Sequence, residues 1–162
     1  MSMIGYYLRA DEDTVSRVRD GEANDLLFGD EAGEKLISID KTWHAIHYIL
    51  TGCVWDIPDD NISGQLVLGG EPVNDEDMGY GPARLIPAET VKSLNDALAV
   101  WDESRFRENF HIQDMTDNEI YPVMAGEDEA DFFEYVWEYF DELKKFVKEA
   151  AKNEESIITF LA

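Results

Sequence analysis

Between residues 129 and 152 the apolar positions return with the period of an α-helix: Phe132, Val136, Tyr139, Leu143, Phe146, Val147 and Ala150 fall within about 100° of a helical wheel. Phe133, Tyr135, Phe140 and Ala151 flank that stripe, while Glu134, Glu138, Asp141, Lys145, Lys148, Glu149 and Lys152 occupy the opposite side. The first half of the segment carries only acids and the second half gathers Lys144, Lys145, Lys148 and Lys152, the order that the helix dipole favours. At 1.5 Å per residue such a helix is ~36 Å long, enough to cross a domain of this size.

The remaining segments are shorter. Ile4–Arg9 is β-prone, and Asp11 can cap a helix from Glu12 to Arg19 that Gly21 ends. Residues 24–28 suggest a further turn of helix. Leu36–Ile39 reads as a strand, and Asp40, offering its carboxylate to the N–H of Thr42 or Trp43, is expected to cap a helix that runs to Thr51 and stops at Gly52. On that helix Trp43, Ile46, His47 and Leu50 share one side, with His44, Tyr48 and Thr51 on the adjoining side. Residues 56–82 are rich in acids, glycine and proline and read as loop, with Gln65–Leu68 as the one plausible strand. Pro87 fits a first helical position ahead of Val91, Leu94, Leu98 and Trp101, and Asp102 precedes a short helix carrying Phe106 and Phe110. Ile157–Leu161 is too apolar for a frayed tail and reads as a buried strand. Strands and helices do not alternate, so the expectation is a single α+β domain over 1–162, helix-rich, with a small, mainly antiparallel sheet and a long C-terminal amphipathic helix.

Composition supports a packed chain: 44% of the 162 residues are hydrophobic and 12% aromatic, despite a net charge of −23. The charge is spread evenly, with 5 basic and 17 acidic residues in 1–81 and 8 and 19 in 82–162. Such a field repels nucleic acid and anionic membranes, so neither is an expected partner. It leaves two uses for the excess acid, solubility or the docking of a basic protein. A lone Cys53 and the absence of an apolar run near ~20 residues point to the cytoplasm.

Candidate chemistry is sparse, and no cofactor motif occurs. His44-x-x-His47 spaces two imidazoles one turn apart with Asp40 upstream, a weak metal pattern set against a more ordinary role as satisfied structural histidines. Asp59-x-Asn61-x-Ser63-Gly64 resembles half a calcium loop but has Gly70 where the bidentate Glu belongs. Cys53 follows a helix C-terminus, where the dipole disfavours a thiolate. Arg84 is the only basic residue between Lys41 and Lys92, and its ordinary role would be to pair with carboxylates. If distant segments converge, Trp43, His44, Tyr48, Tyr80, Arg84 and Tyr121 could line a ligand pocket. A His44 sealed from solvent with both nitrogens internally occupied would leave that list.

Several of these segments together resemble the YfbM-like family of uncharacterised bacterial proteins: Met1-Ser2-Met3-Ile4, Asp40-Lys41-x-Trp43-His44-x-x-His47-Tyr48-x-Leu50-x-Gly52, Gly79-Tyr80-Gly81-Pro82-Ala83-Arg84, Tyr121-Pro122 and the closing aromatic helix with Ala150-Ala151. The resemblance implies one α+β domain in a cytoplasmic bacterial protein, and carries no activity or catalytic residues with it. The functional expectation is a non-enzymatic acidic binding module for a basic protein, with a small-molecule binder or hydrolase as the alternative.

Overall fold

The computed structural model describes residues 2–22, 25–26, 31–124 and 126–162. Most of the turn expected over 24–28 lies outside them.

Five strands form one antiparallel sheet in the order β2-β1-β5-β4-β3: β1 (Gly5–Ala10), β2 (Leu36–Ser38), β3 (Glu71–Asp77), β4 (Pro82–Ile86) and β5 (Ser156–Leu161). The two ends of the chain meet at its centre. β1 pairs with β5 from Gly5 opposite Leu161 to Ala10 opposite Ser156, and Ile4 and Ala162 exchange both backbone hydrogen bonds. Both strands are covered on two faces, which is why they lack the polar alternation of a half-exposed strand. Tyr7 and Ile157 face the main core with Trp43, Leu94 and Phe140. Leu8, Ala10, Ile158 and Phe160 face a second, smaller core closed by Val15 and Val18.

The helices are α1 (Glu12–Arg17), α2 (Trp43–Thr51), α3 (Gln65–Leu68), α4 (Ala88–Leu98), α5 (Glu103–Glu108), α6 (Ile112–Asp117) and α7 (Glu129–Lys152). α7 has the predicted bounds, starts at an Asp128 carboxylate that accepts from the Asp131 N–H, and buries Phe132, Phe133, Val136, Phe140, Leu143, Phe146, Val147 and Ala150. Phe140 stacks on Phe106 of α5 at 4.5 Å, tying that short helix to the core. Asp11 and Asp102 cap α1 and α5 through the N–H groups of Thr14 and Arg105.

Three local expectations are corrected. Gln65–Leu68 is helical, following a 3-10 turn over Ile62–Gly64; a four-residue apolar run fits a buried turn of helix as well as a strand. The acidic stretch after it is β3, at the sheet edge. There, exposed carboxylates and Pro72 need neither an apolar face nor a second row of hydrogen bonds, so the usual strand signal is missing. Gly70 makes the entry to β3 possible: at φ +88 a Cβ there would sit 2.7 Å from the Leu85 carbonyl oxygen. Finally, Asp40 does not cap α2. It adopts φ +52 at the start of a 3-10 turn and its carboxylate accepts instead from the Tyr135 hydroxyl at 2.6 Å.

Candidate functional site

α2 is buried on nearly every side. Trp43, His44, Ala45, Ile46, His47, Ile49 and Leu50 are all buried, leaving Tyr48 and Thr51 half-open. Gly52 in the left-handed region (φ 73) turns the chain back, so that residues 53–57 run along the helix they have just left. Two imidazoles hold them there. His44 Nε2 lies 2.9 Å from the Val54 carbonyl oxygen and His47 Nε2 3.1 Å from that of Asp56. The pairing is geometric: side chains three apart on a helix are ~5–6 Å from each other, close to the ~6.6 Å between alternate carbonyls of an extended strand.

His44 is sealed, with 1% of its surface exposed. Its Nδ1 accepts from the Tyr121 N–H at 2.9 Å. A carbonyl only accepts and a backbone N–H only donates, so the ring must be the neutral Nε2–H tautomer, and both nitrogens are used. Burial pulls the pKa of both imidazoles below the ordinary histidine value. The two Nε2 atoms address different carbonyls, and the third member of the metal pattern, Asp40, is bound to Tyr135. Among the described residues no group of three or more His, Cys, Asp or Glu is placed to hold a metal ion.

The six pocket candidates separate into two places. Trp43, His44 and Tyr121 come together as a ring stack: Trp43 lies 5.1 Å from His44 and 5.7 Å from Tyr121, with its indole N–H donating to the Met3 carbonyl. The Tyr121 hydroxyl in turn accepts from the Met3 N–H. Tyr48 touches the edge of this region through Asn118. Tyr80 and Arg84 lie on the β3–β4 hairpin and its turn, where Tyr80 is 41% exposed. Arg84 donates to the carbonyl oxygens of Val67 at 2.9 Å and Gly69 at 3.2 Å, and the Tyr7 hydroxyl donates to that of Leu66 at 2.8 Å. Together they satisfy the open C-terminal carbonyls of α3. The expected carboxylate partners are replaced by a helix end, which carries partial negative charge. Its burial lowers the Arg84 pKa and raises that of Tyr7. His44 and Arg84 are therefore consumed by structure.

One residue absent from the sequence reading completes the stack. Trp55 lies over His44 at a centroid distance of 4.3 Å and 25° between planes, yet is 59% exposed. Its inner side rests on a ring that hydrogen bonds hold in place, and much of the indole is open. The same loop presents exposed Asp56, Asp59 and Asp60, and Met124, three residues beyond Tyr121, is 70% exposed. A tryptophan beside acids was visible in the sequence, but its exposure was not.

No described helix is long and apolar enough to cross a membrane. Protein YfbM of Escherichia coli K12 is 25% identical over 135 residues, spanning 81% of this chain and 80% of YfbM. The crystal structure of YfbM from Escherichia coli, a protein of unknown function, superposes with a TM-score of 0.76 at 23% identity, covering 98% of this chain and 99% of that one. At these identities the chain is a relative of YfbM, distinct from it in sequence and alike in fold. A family model described as a domain of unknown function, DUF1877, matches residues 1–160, and the chain belongs to that family.

Proposed function

We propose that this protein is a non-enzymatic cytoplasmic binding module that docks a basic protein segment at the Trp55 platform. The observation that carries the reading is the exposed indole stacked 4.3 Å from a sealed, doubly hydrogen-bonded His44. A pre-positioned aromatic loses little conformational freedom on binding, and a Trp with open surface is the residue type that dominates interface energies. Its open face offers cation–π contact to arginine or lysine, and Asp56, Asp59 and Asp60 add a complementary rim. The −23 net charge raises the encounter rate with a cationic partner without fixing where it binds.

Calorimetric titration with an oligo-arginine peptide at about 0.1 M salt tests this. The wild-type chain should bind, and Trp55→Ala should bind about tenfold or more weakly while unfolding at nearly the same urea concentration. Equal affinity in the two proteins would reduce the interaction to unspecific attraction by the surface acids and end the proposal.

A further inference from the structure

The outward face of α7 holds a pattern that the docking of a basic segment does not use. Along its middle line lie Glu134, Glu138, Asp141, Lys145, Lys148 and Lys152, with exposed Glu142 and Glu149 at the border of that line, the latter paired with Arg9 at 3.8 Å. The spacing of the middle line, four and three residues in alternation, keeps its members in register along the helix, as in the seam of a coiled coil. Asp141 and Lys145 side chains are 39% and 74% exposed, and Glu134, Glu138, Lys148 and Lys152 are exposed. Three acids are followed by three lysines. The only ion pair within the stripe joins Lys145 to Asp141 at 3.0 Å, and Glu134, Glu138, Lys148 and Lys152 have no ion-pair partner among the described residues.

We infer that this stripe is a self-association surface whose partner is a second copy of the chain, packed antiparallel about a two-fold axis at the level of residue 143. That register sets Glu134 opposite Lys152, Glu138 opposite Lys148 and Asp141 opposite Lys145, and symmetry repeats each pair. A parallel arrangement would set every charge against itself. A uniformly acidic partner would be repelled by the first half of the stripe and a uniformly basic one by the second, so the stripe fits another copy of itself best. Two flanking grooves leave room for the facing side chains. One, of about 630 Å³, is lined by Glu103 and Arg107 of α5 with Trp137 of α7; the other, of about 730 Å³, by Lys92 and Asn95 of α4 with Ala151 of α7. The contact is isologous, as closed dimers require. Exposed ion pairs are individually weak and the two chains repel at long range, so the dimer forms reversibly at high concentration and moderate salt.

Sedimentation from about 10 μM to 1 mM at about 0.15 M salt should show a monomer passing to a dimer. Lys145→Glu, Lys148→Glu and Lys152→Glu together make an all-acidic stripe, and Glu134→Lys, Glu138→Lys and Asp141→Lys an all-basic one. Each variant alone should be monomeric at concentrations at least about tenfold above the wild-type midpoint, and a mixture of the two should form a heterodimer. Zero-length carbodiimide coupling of the unaltered protein gives a second measurement. Glu138 and Lys148 of one helix are ~15 Å apart and Glu134 and Lys152 ~27 Å, so amide cross-links joining either pair can only run between copies. A wild type that stays monomeric, a dimer that survives in the all-acidic variant, or cross-links confined to Asp141 and Lys145 would each overturn the inference.

Discussion

Replacing His44 by Phe separates a structural histidine from a functional one. Phenylalanine keeps a flat ring between Trp43 and Trp55, so the stack at 5.1 and 4.3 Å is largely retained. What disappears are the two hydrogen bonds, to the Val54 carbonyl and from the Tyr121 N–H, both at 2.9 Å. Each leaves a backbone group without its partner, at about 1–3 kcal/mol apiece. Val54 and Tyr121 are half-buried, so water can reach part of the loss, and the sum should fall at about 2–5 kcal/mol. Reversible urea unfolding followed by circular dichroism measures it, provided the denaturant slope is unchanged. In the wild-type protein, nitrogen-detected NMR at neutral pH should find the His44 ring as the Nε2–H tautomer. A loss under about 1 kcal/mol, or an Nδ1–H tautomer, would refute the assignment of His44 as a latch for residues 53–57.

Leu143→Ala, at a side chain with 0% exposure beneath α7, should cost about 2–5 kcal/mol through lost burial and the cavity left behind; under about 1 kcal/mol would mean the buried face of α7 is misassigned. Stability should also depend on pH through the two imidazoles. Both have folded pKa values below the ordinary 6.5, so the unfolded chain binds protons first as pH falls. Their contribution is complete above about pH 6.5, declines as pH drops below it, and stops changing beneath the folded pKa values. Urea midpoints between about pH 7.5 and 5.5 should therefore fall with acid, and a double variant, His44→Phe with His47→Phe, should show a flatter slope.

The sequence by itself determined the elements whose signal is local. α7 spans 24 residues with a period that admits one buried face, and its bounds and its core side follow from that repetition. β5, β-branched and apolar from Ile157 to Leu161 apart from Thr159, is stabilised by burial on both faces, and it lies at the centre of the sheet. The α+β class and the antiparallel sheet followed from the order of such segments. β3 was not legible because an edge strand is held by backbone hydrogen bonds that carry no side-chain pattern. Nor was the helicity of Gln65–Leu68, where the deciding partners, Tyr7 and Arg84, stand on strands distant in sequence. The roles of the candidate residues belong to the same class. His44-x-x-His47 and Arg84 are chemically fit to bind ligands, and only the return of residues 53–57 along α2 and the end of α3 beneath β4 show that their donors already have backbone carbonyls to bind. Trp43 shares a helical stripe with Ile46 and Leu50 while Trp55 follows the Gly52 stop beside Asp56, yet the sequence does not say how much of either indole is open. Three-dimensional packing leaves one indole 59% open and the other 1%, because burial depends on contacts across the whole chain while periodicity reports only the neighbourhood of each residue.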